Sequence, residues 1–118
     1  MIVAGLGFST RASLASIRDA LERAQCGHPP VTALATLADK APLLDGLART
    51  LGLPLIPVAG PLPDTPTRSD RALAERGAGS VAEACALAAV GQGGYLRQTR
   101  VISGDRLATC AIAQGGNA

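Results

Sequence analysis

An aliphatic run, Met1-Ile2-Val3-Ala4, leads into Gly5-Leu6-Gly7-Phe8-Ser9-Thr10-Arg11 and then into a segment with helical spacing. A glycine-bearing passage from strand to helix gathers free backbone N–H groups at the positive end of a helix dipole, which is chemistry for holding an anion. Gly5 and Gly7 would let a ligand approach the main chain, and Ser9, Thr10 and Arg11 would add hydroxyl and guanidinium donors. The alternative is a tight turn with a capped helix. Dinucleotide binding is not expected, because that fingerprint needs Gly or Ala where Thr10 stands and an acid near the end of the second strand.

Two further stretches carry comparable chemistry. Ala35-Thr36-Leu37-Ala38-Asp39-Lys40 follows the second expected strand, so Thr36 and Lys40 should reach the same carboxyl edge of the sheet, where open α/β sheets bind ligands. Lys40 offers a point charge for an acidic ligand or is a solvated side chain, and Asp39 reads as a cap. Gly77-Ala78-Gly79-Ser80 is a second glycine-rich helix entrance, in which Gly79 and Ser80 are candidate anion contacts. Ser80 and Glu83 also fit the S-x-x-E capping box. His28 is the sole histidine and sits in Gly-His-Pro-Pro, an exposed loop, so neither a histidine-based triad nor a protein-held metal site is expected.

The elements that must position these residues follow from apolar spacing. Leu14, Ile17, Leu21 and Ala24 mark the first helix, capped by Ser9 or Thr10 and followed by Gly27. Val31–Leu34 reads as the second strand. Its helix has Pro42 near the first turn, Leu44, Leu47, Ala48 and Leu51 on one face, and Gly52 at its end. Pro54–Ala59 is a third apolar run whose prolines suit a sheet edge. Residues 60–70 hold three prolines and read as an exposed loop. Ser69 would cap a short helix through Arg76, stopped by Gly77 and Gly79. Ser80 opens a helix through about Val90 that is buried on most sides. Tyr95–Ser103 and Leu107–Ala113, joined by Gly104-Asp105, make a hairpin, and the tail from Gln114 should fray. The expected fold class is α/β: a three-layer sandwich with a mixed, mostly parallel sheet, helices on both faces and a C-terminal β-hairpin, in one domain spanning residues 1–118.

Composition narrows the function classes. The 118 residues are 47% hydrophobic with a net charge of +2, one Tyr, one Phe and no Trp, a poor basis for binding nucleic acid. No apolar run approaches the roughly 18 residues that cross a bilayer, so a soluble, cytoplasmic protein with no membrane partner is expected. Lys40 is the only lysine among 11 basic residues; the others are arginines, the better fork for carboxylates. Cys26, Cys85 and Cys110 read as thiols rather than disulfide or zinc ligands.

Taken in order, Val3-Ala4-Gly5-Leu6-Gly7 with Ser9, Leu34-Ala35-Thr36 with Lys40, Leu51-Gly52-Leu53-Pro54-Leu55, Ser69, Gly77 with Ser80-Val81-Ala82-Glu83-Ala84, and Ala111-Ile112-Ala113 resemble the CobE family and the C-terminal domain of CbiG. The resemblance covers nearly the whole chain, and without a counterpart to the N-terminal portion of CbiG it looks like the stand-alone CobE type. It implies a role in building the corrin ring of cobalamin. CbiG-type proteins open a δ-lactone on cobalt-precorrin-5A and release acetaldehyde, whereas the CobE step is undefined. No catalytic residue carries over. Gly5, Gly7, Thr36, Lys40, Ser80 and Glu83 match family positions at a ligand edge or in the framework.

Three readings follow. The chain binds a precorrin or corrinoid small molecule, whose acetate and propionate arms suit helix entrances, arginines and Lys40, with no separate cofactor. Alternatively, it hydrolyses a lactone or acyl arm, with Glu83 as the acidic candidate for the base, or it partners another cobalamin-pathway enzyme.

Overall fold

Alternation carries Ile2, Ala4, Leu6 and Phe8 to one side of the chain and Val3, Gly5 and Gly7 to the other. It runs through both glycines without a break, so β1 spans Ile2–Phe8. In the computed structural model, which describes residues 1–63, 65 and 80–116, the expected glycine loop is therefore a strand. The turn begins only at Ser9. Helix α1, Leu14–Gln25, is capped by Ser13 rather than Ser9 or Thr10: Ser13 Oγ accepts from Ser16 N at 3.1 Å, and Ser13 N donates to Ser16 Oγ at 3.2 Å. Ser9 Oγ instead accepts from Arg11 N at 2.9 Å, closing a local turn.

Strand β2 is Ala33–Leu37, displaced toward the C-terminus from the expected Val31–Leu34, and all five of its residues are buried. Helix α2, Ala41–Leu51, carries Pro42 in its first turn, where the missing N–H costs no helical bond, and ends on left-handed Gly52. Strand β3, Leu55–Val58, lies at an edge, which accommodates Pro57. Helix α3 is Val81–Val90, and β4, Tyr95–Ile102, and β5, Ala108–Gln114, form the hairpin. Gln114 is not frayed; it pairs with Ile2 and Tyr95. The expected Ser69–Arg76 helix, Gly77 and Gly79 lie outside the described residues.

The strands form one mixed sheet in the order β3-β2-β1-β5-β4. β1 pairs parallel with β2, and β2 with β3, while β5 runs antiparallel to both β1 and β4. Helices α1 and α2 cover one face, where Leu44 and Leu47 of α2 join Ala4, Leu6, Leu34 and Ile112 of the sheet in one apolar cluster. Burying each leucine or isoleucine of this layer contributes about 1.5–3 kcal/mol. Helix α3 covers the other face, its Cys85 clustered with Val3, Ala33 and Ala35 of the sheet. The expected three layers are thus formed.

Gly5 sets how closely α3 approaches. A Cβ at this position would lie 2.0 Å from the Ala82 carbonyl oxygen and 2.6 Å from Ala86 N. The helix backbone rests directly on the strand, which is what a glycine inside a buried strand permits. Gly5 is therefore a packing residue, and no ligand can reach its backbone on that side.

Candidate functional site

The parallel strands β1, β2 and β3 end at one edge of the sheet, and the segments leaving them form a rim. Thr10 and Arg11 are exposed after β1; Ala38 and Asp39 are exposed after β2; Ala59 and Gly60 are exposed after β3. Helix α3 starts at the same edge, since a Cβ on Gly7 would stand 3.4 Å from the Val81 side chain. The stretches around Ser9–Arg11, Lys40 and Ser80 are thus brought to one border of the molecule. Gly5 and Thr36 stand back from it.

Lys40 links two of these segments. Its Nζ donates to the Phe8 carbonyl oxygen at 2.9 Å and lies 5.2 Å from the centroid of the Phe8 ring. The ammonium has three donors and this bond uses one, so the cation is held at the end of β1 with capacity left for an anion. Lys40 is also the N-cap of α2 and makes no side-chain cap, leaving the helix dipole at that end without a capping oxygen. Thr36 does not face the rim. It lies within β2, 1% exposed, and its Oγ1 donates to Leu6 O at 2.8 Å, a cross-strand tie that satisfies a buried hydroxyl.

Ser80 and Glu83 separate likewise. Ser80 Oγ accepts from Glu83 N at 3.3 Å, the N-cap bond the sequence predicts. The Glu83 carboxylate also reaches beyond its own helix. Its Oε2 accepts from Arg100 N at 2.8 Å, in the stretch of β4 where the register to β5 shifts between Gln98 and Val101. An irregular strand leaves backbone donors without ladder partners, and a carboxylate brought over by α3 supplies one. Glu83 is 0% exposed, so water at the rim has no access to it. Through this bond it joins α3 to β4.

An open hollow of about 440 Å³ lies between the ends of β2 and β3, on the same edge of the sheet. Leu37, Val58 and Leu62 supply apolar surface, and Ala38, Asp39, Ala59 and Gly60 line the remainder. Sequence reading missed the hollow because it depends on two strands ending side by side, although the proline-rich passage after β3 was the signal available. At the opposite end of the rim the β4–β5 turn is tightly held. Asp105 Oδ1 accepts from Ser103 Oγ at 2.6 Å and from Leu107 N at 3.1 Å, while Oδ2 accepts from Ser16 Oγ of α1. Asp19 accepts from Gly104 N at 2.7 Å and from Arg23 Nε at 2.9 Å. These donors hold both carboxyls below the ordinary aspartate range, the Ser103 hydroxyl foremost for Asp105 and the Gly104 amide for Asp19.

Other polar residues lie away from the rim. His28 is half-buried rather than free in solvent, its Nε2 3.1 Å from Gln98 Oε1. Cys26 is exposed, and Cys85 and Cys110 are buried. Among the described residues no cluster of three His, Cys, Asp or Glu side chains is placed to hold a metal, and no helix is long and apolar enough to cross a membrane.

Residues 2–113 match the family model described as the cobalamin synthesis G C-terminus. No curated protein matches the chain. Among solved structures, it is similar to CobE, a protein from the cobalamin (vitamin B12) biosynthetic pathway, at 30% identity and a TM-score of 0.78, over 96% of this chain and 89% of that one. It is also similar to the cobalamin biosynthesis protein chiG from Agrobacterium tumefaciens, at 31% identity and a TM-score of 0.71, over 99% of this chain and 100% of that one.

Proposed function

Because this chain belongs to the cobalamin synthesis G C-terminus family, we propose that it serves cobalamin biosynthesis by binding a precorrin or corrinoid tetrapyrrole along the carboxyl edge of its sheet. The observation that carries this reading is Lys40, a cation fastened to the end of β1, on the same sheet edge as an open, partly apolar hollow between β2 and β3. A tetrapyrrole presents a flat apolar ring fringed with carboxylates. Leu37, Val58 and Leu62 offer surface to the ring, and Lys40 and Arg11 offer donors to its arms. Ser9 and Ser80 shape the border by fixing the local turn and the start of α3.

Hydrolysis of a lactone or acyl arm gains no support from Glu83, whose carboxylate is buried and bonded to the β4 backbone. Binding and delivery to another pathway enzyme is the reading the geometry favours.

Spectral titration with dicyanocobyrinic acid, a corrin whose arms are free carboxylates, tests it. The wild-type protein should perturb the corrin spectrum with an affinity that falls as salt rises, and Lys40→Met should weaken uptake roughly tenfold, the weight of one charge-assisted pair. A wild-type protein that leaves the spectrum unchanged, and that purifies colourless when co-produced with precorrin-forming enzymes, sinks the reading.

A further inference from the structure

Arg106 is the one described non-glycine residue with a positive φ, 64°. An L-residue in the left-handed region crowds its Cβ against the backbone, and glycine is the usual occupant. The turn is held on several sides. Ser103 N donates to Ala108 O and Arg106 N to Ser103 O, both at 2.9 Å, and Asp105 and Asp19 fasten the residues between them. These bonds close the turn with residue 106 in the left-handed region.

The arginine returns nothing visible to the fold. It is exposed, and among the described residues no hydrogen bond or ion pair engages its guanidinium. The nearby carboxylates are already committed: Asp105 to two hydroxyls and the Leu107 amide, and Asp19 to Gly104 N and Arg23. A strained position thus carries an uncompensated fork-shaped cation where glycine would be more stable.

Its location gives that cation a use. Ser9 N donates to Leu107 O at 2.9 Å, which sets the β4–β5 turn beside the segment leaving β1. Arg11, two residues beyond Ser9, and Arg106, one before Leu107, flank that bond, and Lys40 is fastened to the neighbouring Phe8. The rim therefore bears an apolar hollow at its β2–β3 end, and the adjoining segments at the end of β1 and at the hairpin carry Lys40, Arg11 and Arg106.

We propose that Arg106 is a binding residue of this rim, and that the strained turn presents its guanidinium to a carboxylate arm of the bound tetrapyrrole. The proposal rests on the reading of the rim as a tetrapyrrole site and extends that site across β1 to the hairpin. Strain retained at a turn that glycine would relieve is the pattern expected where stability is exchanged for ligand contact.

The test pairs stability with affinity, using dicyanocobyrinic acid and dicyanocobinamide, the latter a corrin whose arms are amides. Arg106→Gly should melt a few degrees above wild type, because the strain is gone. It should also bind the free-acid corrin roughly tenfold more weakly while its response to the amide corrin stays as in wild type. Arg106→Asn, which tolerates the left-handed region, should reproduce the affinity loss, and Arg106→Lys should recover part of it. The proposal is overturned if Arg106→Gly matches wild type on the free-acid corrin, if both corrins weaken alike, or if the variant melts below wild type, which would make Arg106 a framework residue. Failure of wild type to bind either corrin removes the tetrapyrrole reading and this proposal with it. Binding by wild type that Arg106→Gly retains removes the proposal alone.

Discussion

On the α1/α2 face, Leu6, Leu34, Leu44, Leu47 and Ile112 fill the space between sheet and helices with branched side chains. On the α3 face, Gly5 meets Ala82 and Ala86 with almost nothing between the backbones, and Ala111 lies beside Gly5 on β5. Side chains can shift rotamer or lean into a gap, whereas a carbonyl oxygen fixed in a helix cannot retreat without moving the helix. The first face therefore fails by losing atoms and the second by gaining one. The same difference explains why the rim keeps its shape: α3, seated without slack, fixes where Ser80 and Val81 begin relative to β1.

The largest effect should come from a single added carbon. Gly5→Ala is expected to exceed the about 1–3 kcal/mol of ordinary overpacking and leave the chain barely folded, read from the midpoint of urea unfolding. Removal of three carbons on the opposite face should cost less. Leu47→Ala is expected in the lower part of the about 2–5 kcal/mol range, because neighbouring leucines relax toward the gap. A Leu47→Ala loss larger than that of Gly5→Ala would break the comparison.

Gly46 sharpens it. This glycine lies inside α2, and apart from its own helix backbone no heavy atom comes within 4 Å of the position a Cβ would take. Gly46→Ala should stabilise the protein by about 0.5–1 kcal/mol through helix propensity alone, the opposite sign from the same substitution at Gly5.

The smallest effect separates the faces by pH. Asp105 and Asp19 pin the β4–β5 turn to α1 through carboxyls held below their ordinary range. A carboxyl with a depressed folded pKa contributes stability above its unfolded pKa and loses it as pH falls through the folded value. The melting temperature should thus decline below about pH 4, with amide exchange at Gly104 rising before exchange in α3. Asp105→Asn should flatten that decline while lowering stability at neutral pH.

Much of this architecture is legible in the chain. Apolar spacing placed all five strands and the three described helices in order, and Ser80 declared the start of α3 because a cap is a local interaction. Glycine misled. Gly5-Leu6-Gly7-Phe8 alternates as a strand does, but glycines beside a following helix suggest a ligand loop when their packing partner is 77 residues away at Ala82. Thr36 misled similarly, its hydroxyl being claimed by Leu6 across the sheet rather than by anything at the edge.

By itself the sequence determined the succession of elements, the α/β class and the kinship with cobalamin-synthesis proteins, because each rests on residue types and spacing along one chain. Only the tertiary structure decided that Gly5 serves helix packing, that Glu83 bonds a strand, that Lys40 is fastened to Phe8 and that Arg106 occupies a glycine's conformation at the rim. Those outcomes depend on atoms distant in sequence meeting within a few ångströms, and no local pattern encodes which backbone group will be left in need of a partner.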